Sequence, residues 1–408
     1  MKKVWDKWTR IALVKRILVG LILGAILGIA VPQATGIAIL GDVFVSALKA
    51  IAPLLVFFLV ISSLCNAGKS HGGVIKTVII LYMFSTVLAA VIAVFASMAF
   101  PVKMTLANAA TDTSAPQGIV EVLNNLLLNV VANPVSSLVN ANYVGILMWA
   151  VLLGLAFRAA DKMTKKVLAD VADGISMVVT WIINLAPFGI FGLVFNTVST
   201  NGLDIFTTYG KLLLLLVGCM LFIYFVTNPL LVYWCIRQNP YPLIFHCLKR
   251  SALTAFFTRS SAANIPVNMK VCEEMGLDRD TYSVTIPLGA TINMDGAAIT
   301  ITVMTMATAF TLGIHVDIPT AIILSLLAAL SACGASGVAG GSLLLIPMAC
   351  SLFGISDDIS MQAVAVGFII GVVQDSVETA LNSSSDLLLS ASAEFRQWRL
   401  EGKEIKFK

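Results

Sequence analysis

The segment Ser331-Ala-Cys-Gly-Ala-Ser-Gly-Val-Ala-Gly-Gly-Ser342 interrupts an apolar run that covers residues 318–352. The run is long enough to cross a bilayer core of about 30 Å, but its glycine-rich centre favours non-helical backbone. A second apolar segment, residues 242–268, is interrupted at Thr258-Arg-Ser-Ser261. Irregular backbone at membrane depth is tolerated only where protein buries it or where it lines a wet cavity. We therefore predict that each segment is a re-entrant hairpin.

The two segments also form a repeat. Each ends in an Ile-Pro pair, and a carboxylate follows at almost the same distance, with Asp295 29 residues after Pro266 and Asp375 28 residues after Pro347. Because the charge pattern described below places the two hairpins on opposite sides, the repeat is inverted, and a binding site is expected near the midplane between the tips. The plainer alternative is a cytoplasmic loop followed by one ordinary glycine-rich span.

The composition defines the class of protein. The chain has 408 residues, of which 58% are apolar and 12% charged, and its mean hydropathy is +0.94. An ordinary soluble protein is about 25% charged. This composition excludes a soluble enzyme, a nucleic-acid binder and a disordered chain, and it indicates a polytopic α-helical membrane protein.

Hydropathy predicts eight spans, and the charge pattern orients them. The apolar runs are residues 17–32, 44–66, 75–100, 143–158, 174–198, 211–235, 283–312 and 359–393, and the amphipathic segment 119–141 is expected to extend the fourth span as a broken piece. Lys and Arg cluster before span one, between spans two and three, four and five, and six and seven, and after span eight. Because positively charged loops stay in the cytoplasm, this pattern places both termini there. The basic residues 1–16 favour an uncleaved first helix over a cleaved signal peptide.

The seventh span contains a polar break. Within residues 286–296, Gly289 and Gly296 bracket Asn293 and Asp295. We predict that the helix unwinds here and exposes main-chain carbonyls beside an amide and a carboxylate. Such oxygen ligands suit a hard monovalent cation such as sodium. The alternative is a helix kink with a polar pair.

The eighth span carries a polar face. Asp375, Glu378, Thr379, Asn382 and Asp386 have offsets of 3, 4, 7 and 11, which places them on one side of a helix. Each ionised carboxylate at the bilayer centre costs roughly 2.5–3.5 kcal/mol, so four buried acids, counting that of span seven, cost on the order of 10 kcal/mol. The nearby protein cation is a single arginine, Arg259, in the first hairpin. Bound metal ions and a ligand ammonium group would balance the remaining charge.

Two other function classes stay open on these residues. The tetrapeptide Gly334-Ala-Ser-Gly337 matches an intramembrane serine protease motif, although none of the three histidines lies where it could serve as the base. Asp295 and Asp375 could form the pair of an intramembrane aspartyl protease, which would leave the surrounding oxygen ligands unexplained. A cation channel with the glycine-rich hairpin as its filter is the other alternative.

Over essentially the whole chain, the sequence resembles the dicarboxylate/amino acid:cation symporter family, and most closely its bacterial serine/threonine:sodium branch. The motifs that carry the resemblance are Thr258-Arg-Ser-Ser261, Asn293-Met-Asp-Gly296, the second hairpin tip and the polar face of span eight. The resemblance implies a homotrimer with eight transmembrane helices plus two re-entrant hairpins. Residues 1–240 would be mainly scaffold, residues 241–395 with span three would be the transport core, and residues 396–408 would be a cytoplasmic tail.

The resemblance also implies binding roles. The substrate-binding residues would be Ser260, Ser261, Val338, Gly340, Asp375, Glu378, Thr379 and Asn382. Asp375 would hold the substrate ammonium group, and Asn382 with the hairpin tips would hold its α-carboxylate. Three sodium sites are implied. The first would use Gly289, Asn293, Asn382 and Asp386, the second Thr291, Ala332, Cys333 and Ala335, and the third Tyr82, Ser85, Thr86, Asn293 and Asp295.

Two departures from the family pattern bear on the substrate. Family members with acidic substrates have an arginine at the position of Glu378 and a threonine at the position of Ala297. A buried glutamate would repel an anionic side chain but accept a hydrogen bond from a hydroxyl group. We therefore predict a sodium-coupled symporter of the bacterial inner membrane that imports small neutral amino acids, namely serine and threonine.

Overall fold

The computed structural model describes residues 11, 13–66, 73–106, 128, 131–202, 205–333, 335 and 340–405, and their regular structure is entirely helical, as predicted. The helices are α1 Leu13–Ala30, α2 Ala38–Asn66, α3 Gly73–Ala99, α4 Pro134–Val139, α5 Tyr143–Ala156, α6 Lys162–Asn184, α7 Ala186–Asn201, α8 Ile205–Phe222, α9 Asn228–Ile236, α10 Tyr241–Cys247, α11 Leu253–Thr258, α12 Ser261–Glu274, α13 Arg279–Ile292, α14 Asp295–Thr311, α15 Ile318–Ala332, α16 Ile346–Ser351 and α17 Asp357–Leu400.

Six helical stretches of the described chain are long and apolar enough to cross a membrane. They are Thr35–Ser62, Gly73–Ala99, Lys162–Asn184, Phe206–Ile236, Arg279–Thr311 and Asp357–Leu400. Four shorter apolar helices accompany them. The architecture is therefore that of a multi-pass membrane protein, while the number of eight spans stays a prediction.

The prediction of one span over residues 174–198 was wrong in its helix boundaries. The run divides at Leu185, because α6 ends at Asn184 and α7 begins at Ala186 with Pro187 in its first turn. Proline has no N–H group to continue the hydrogen-bond ladder of the preceding helix, which explains the position of the break. The apolar run alone does not mark this break, because both helices are apolar.

A first helix group consists of α1, α2, α5, α6 and α7, and its closest packing joins α1 to α7. Gly20, Gly24 and Gly28 lie one turn apart on α1 and face the main chain of α7. A methyl group added at Gly20 would lie 2.2 Å from the carbonyl oxygen of Pro187, and one added at Gly24 would lie 2.6 Å from that of Phe191. These three glycines, the glycine ladder, therefore let two helix backbones touch without intervening side chains.

A second helix group surrounds the long helix α17. Helices α3 and α11–α16 pack in it, and α8 and α9 also contact α17. The two groups meet at an aromatic contact, in which the rings of Phe44 on α2 and Phe368 on α17 lie edge to face with centroids 5.3 Å apart. The polar face of span eight belongs to the second group, and its residues are buried there.

The first predicted hairpin is a helical hairpin, hairpin 1, formed by residues 241–274. Its first leg is α10, a π-helical turn Leu248–Ala252 and α11, and its second leg is α12. Arg259 forms the tip in the left-handed conformation with φ of 52°, and Ser260 caps α12 by accepting a hydrogen bond from the Ala263 N–H group. Hairpin 1 is therefore interrupted at the tetrapeptide that the sequence indicated.

The second predicted hairpin, hairpin 2, runs from α15 through a tip at residues 333–340 to a 3-10 turn Gly341–Leu345 and α16. Asp317 caps α15, and its hydrogen bonds from Thr320 lower the pKa of the Asp317 carboxyl group. Gly334 and residues 336–339 of the tip lie outside the described residues. The re-entrant course of both hairpins in a membrane stays a prediction.

Candidate functional site

The predicted break in span seven is confirmed, since α13 ends at Ile292 and α14 begins at Asp295. The break lies against the buried carboxylate of Asp386. Asn293 Nδ2 donates to Asp386 Oδ1 over 2.9 Å and to Ser385 Oγ over 2.8 Å, and the Tyr82 hydroxyl group donates to the Asp386 main-chain oxygen over 2.8 Å. A methyl group added at Gly289 would lie 2.8 Å from Asp386 Oδ1. A larger residue at position 289 would therefore displace the Asp386 carboxylate or the Tyr82 hydroxyl group.

Two oxygens at this break lack a hydrogen-bond donor. Within the described part of the chain, Asp386 Oδ2 and Asn293 Oδ1 are shielded from solvent and have no hydrogen-bond partner. Buried acceptors are almost always paired, so two unpaired ones on contacting side chains point to a ligand that is a cation or a donor. A carboxylate oxygen and an amide oxygen are both suitable ligands for a hard cation.

A second carboxylate site lies at the start of α14. Asp295 is fully buried and accepts hydrogen bonds from Ser85 Oγ over 2.8 Å and Thr86 Oγ1 over 3.2 Å. Thr86 Oγ1 also donates to the Tyr82 main-chain oxygen, and Ser85 Oγ lies 3.4 Å from Asn228 Oδ1. The positive end of the helix dipole favours the carboxylate at this position. The structure thus brings together the side chains of Ser85, Thr86 and Asp295, three of the five residues predicted for the third sodium site, whereas the side chains of Tyr82 and Asn293 bond to Asp386.

The residues of the predicted second sodium site lie where hairpin 2 meets the end of α13. Cys333 Sγ donates weakly to the main-chain oxygen of Ile292 over 3.6 Å, and Ala332 and Ala335 are buried beside it. Thr291 Oγ1 donates to a main-chain oxygen of its own helix over 2.8 Å. This set therefore offers main-chain oxygens and no carboxylate.

Asp375, predicted to hold an ammonium group, holds a guanidinium group here. Arg259 at the tip of hairpin 1 approaches Asp375 Oδ2 with Nε at 2.6 Å and a terminal nitrogen at 2.5 Å. The Gly340 N–H group donates to Asp375 Oδ1 over 3.3 Å from hairpin 2. Gly340 has φ of 74°, and an added methyl group would lie 2.9 Å from Phe368. Both hairpin tips therefore contact one carboxylate of α17.

The remaining predicted substrate residues lie around this point. Asn382 Oδ1 accepts a hydrogen bond from the Gly296 N–H group over 2.7 Å, which ties α17 to the first turn of α14. Ser261 and Thr379 are buried, and Ser260 occupies the hairpin tip as a helix cap. Val338 lies outside the described residues.

Glu378 is held by three donors, which together with it form the Glu378 clamp. Its Oε2 atom accepts hydrogen bonds from Thr300 over 2.6 Å, Ser342 over 2.9 Å and Gln374 over 2.5 Å. The clamp joins α14, hairpin 2 and α17. Gly296 packs against the Glu378 side chain, since an added methyl group would lie 2.9 Å from its Cγ.

Sequence reasoning missed four polar residues of the site, namely Thr300, Ser342, Gln374 and Asn228. All four are buried. A polar side chain within an apolar run was a usable signal for Asn228, which precedes Pro229 in span six and directly follows a π-helical turn. The hydroxyl groups of Thr300 and Ser342 offered no comparable signal, because such residues occur throughout these helices.

Comparison with known proteins gives a consistent result over the full length. The chain is 57% identical over 406 residues to the serine/threonine transporter SstT of Bifidobacterium adolescentis, covering 99% of this chain and 94% of that protein. It is 55% identical over 400 residues to the serine/threonine transporter SstT of Streptococcus thermophilus, covering 98% and 100%. These relatives are transporters and not enzymes, which decides against the protease alternative. The sequence profile of the sodium:dicarboxylate symporter family matches residues 13–394, and the chain therefore belongs to this family.

Proposed function

We propose that this protein is a sodium-coupled symporter that imports serine and threonine by alternating access. The names of its relatives and its family support a serine/threonine substrate and sodium coupling. The buried site is the part of the molecule that would carry out this function, because it combines acidic groups, unpaired oxygens and two hairpin tips.

The charge of the site is the observation that carries the proposal. Asp295, Asp375, Glu378 and Asp386 are each at most 5% exposed, and Arg259 is the basic side chain that pairs with one of them in the described chain. Three buried carboxylates without a cation cost roughly 10 kcal/mol in a membrane. Sodium ions bound at Asp386 and Asp295 would offset this cost. The binding of sodium would therefore itself neutralise the carboxylate charges.

The amino acid would bind between the hairpin tips. Asp375 already binds one cation in this structure, and its position between hairpins 1 and 2 suits the ammonium group of a substrate. The amide of Asn382 and the main chain at Ser260, Ser261, Val338 and Gly340 would hold the α-carboxylate. The substrate would thus connect α17 to both hairpins and favour their closed arrangement.

The Glu378 clamp would make the site selective for neutral side chains. All three described hydrogen bonds of Glu378 fall on Oε2, and its other carboxylate oxygen can accept a hydrogen bond from a substrate hydroxyl group. An aspartate or glutamate side chain would instead meet a like charge in a low-dielectric setting. Thr379 would line the same side of the site.

The helix packing supports a division into a scaffold and a moving part. The proposed transport core is residues 241–395 together with α3, and residues 1–240 are otherwise mainly scaffold. The contacts of α8 and α9 with α17 favour adding these two helices to the core. The proposed assembly is a homotrimer in a bacterial inner membrane, with both termini and the tail 396–408 in the cytoplasm.

Uptake of radiolabelled serine into proteoliposomes tests the function. Uptake should need an inward sodium gradient, and potassium in place of sodium should abolish it. Excess threonine should compete with labelled serine, while aspartate should not. Sodium-independent uptake would refute the coupling, competition by aspartate equal to that by threonine would refute the selectivity, and currents far above carrier rates would favour the channel alternative.

A pair of variants tests the site. Asp375→Asn should abolish serine uptake because the amide carries no charge for the ammonium group. Asp280→Asn is the matched control, since Asp280 is an exposed acid in the first turn of α13 and should leave uptake unchanged. Equal uptake by the two variants would remove Asp375 from the site.

A further inference from the structure

A large apolar groove lies between α3 and α8, away from the site described above. It is a cavity of about 800 Å³ that opens on the outer surface of the second helix group. Its walls include Ile92 and Phe95 of α3, Phe100 directly after α3, and Leu214, Gly218 and Phe222 of α8. Leu214 is 74% exposed and Phe100 is 69% exposed, so the groove is open along its length rather than sealed.

The dimensions of the groove match those of one membrane leaflet. Its lining on α8 extends from Lys211 to Phe222, which at about 1.5 Å per residue is roughly 16 Å. Half of a bilayer core of about 30 Å has nearly the same thickness. In the proposed orientation the groove lies in the leaflet opposite the cytoplasm, because it uses the last third of α3 and the first half of span six, residues 211–235.

One end of the groove carries positive charge. Lys211 lines the groove, and Lys103, which is exposed, follows the lining residue Val102 by one position. Both lie on the side of the membrane where the sequence otherwise has few lysines and arginines. A lysine within an apolar wall extends its charged end toward the headgroup region, where a phosphate would pair with it.

We propose that this groove is a binding site for one anionic phospholipid. An acyl chain lies in the apolar groove between α3 and α8, and the phosphate group binds Lys211. The charge at one end and the leaflet-length apolar wall together favour an anionic lipid over an apolar protein segment, which would leave Lys211 unpaired. Both walls belong to the second helix group, so the lipid binds the part of the protein proposed to move.

The glycines of α8 provide a test that does not disturb packing. A methyl group added at Gly218, which lines the groove, meets no atom within 4 Å, and the same holds for Gly210, which does not line it. Gly218→Leu therefore fills the groove, whereas Gly210→Leu is a matched control on the same helix. Lys211→Gln removes the charge and keeps most of the side-chain length.

The experiment is native mass spectrometry of delipidated, full-length protein titrated with phosphatidylglycerol or phosphatidylcholine. The unaltered chain should bind one phosphatidylglycerol more tightly than the others, and Gly218→Leu should reduce its occupancy at least fivefold while Gly210→Leu leaves it unchanged. Lys211→Gln should bring the two lipids to nearly equal occupancy.

Three results would overturn the proposal. Unchanged occupancy in Gly218→Leu would place the lipid elsewhere, and equal binding of both lipids by the unaltered chain would show that the groove does not select a lipid of net negative charge. A disulfide-linked dimer of Leu214→Cys, absent when the cysteine is placed at Gly210, would show that a second copy of the chain covers the groove.

Discussion

The replacement Glu378→Gln separates the structural role of the Glu378 clamp from its role in substrate binding. The amide can present one oxygen to the three donors, but it removes the negative charge. A hydrogen bond to a charged group contributes about 1.5–3 kcal/mol and a neutral one about 0.5–1.5 kcal/mol, a difference of about 1 kcal/mol for each bond. With three bonds in the clamp, the hydrogen bonds weaken by about 3 kcal/mol in total, and removal of one buried charge offsets part of this loss, so folding stability should fall by less than about 3 kcal/mol.

The effect on serine affinity should come from one of the three bonds. Of the three donors only Ser342 belongs to hairpin 2, so only one bond changes when the hairpin moves relative to α14 and α17. A change of about 1 kcal/mol corresponds to roughly a fivefold change in an equilibrium constant. The apparent KM for serine should therefore rise about fivefold through this bond, and further if the substrate hydroxyl group also binds Glu378.

Two assays on the same preparation measure these effects. Thermal unfolding in detergent reports stability, and proteoliposome uptake across serine concentrations reports KM. Glu394→Gln is the matched control because Glu394 is another buried acid of α17, but its described bond is from the Asp278 N–H group, outside the site. It should lower stability and leave KM unchanged.

A double-variant cycle decides whether the clamp acts through hairpin 2. Ser342→Ala combined with Glu378→Gln should raise KM by less than the product of the single effects, because both changes remove the same bond. Strictly independent effects on KM, or a Glu378→Gln variant with unaltered KM and unaltered thermal stability, would refute this reasoning.

Three further predictions follow from the site and the fold. Asp386→Asn should raise the sodium concentration for half-maximal uptake by one to three orders of magnitude, since a unit charge on a cation at about 4 Å contributes on the order of 4 kcal/mol near a protein surface; an unchanged sodium dependence would exclude this ligand. Arg259→Gln should leave Asp375 unpaired and lower the melting temperature of the substrate-free protein, while added serine should raise it more than in the unaltered chain; an equal serine-induced shift would contradict an exchange of cations at this carboxylate. Gly24→Ala should cost about 1–3 kcal/mol of stability by thermal unfolding because its methyl group meets main chain, whereas Gly36→Ala, which meets no atom within 4 Å, should cost little.

The sequence predicted the features that depend on local pattern. The break at Asn293 follows from glycines that bracket a polar pair, and the turn at Arg259 follows from a charged residue in an apolar segment. The buried face of α17 follows from helical spacing alone, because a continuous helix repeats its faces with a fixed period. In each case the signal and the structure involve neighbouring residues.

Features that depend on distant contacts escaped the sequence. The sequence placed one arginine near the buried acids but did not show that Arg259 pairs with Asp375, 116 positions away, and the bond from Thr300 to Glu378 joins residues 78 positions apart. Many serine and threonine hydroxyl groups in these helices were equally suitable partners. The division at Leu185 was missed for a different reason, although it depends on neighbouring residues. The prediction used the hydropathy of the run, and hydropathy does not show where a proline divides it.

The glycine ladder also imposes an order on biogenesis. Gly24 of the ladder on α1 and its contact Phe191 on α7 are about 170 residues apart in the chain. At about 5–20 residues per second, the synthesis of that stretch takes roughly 8–34 seconds. During that interval the bare glycine strip of α1 has been made but its partner has not. A chain that stops before α7 cannot complete the first helix group, so this part of the molecule is made first and finished late.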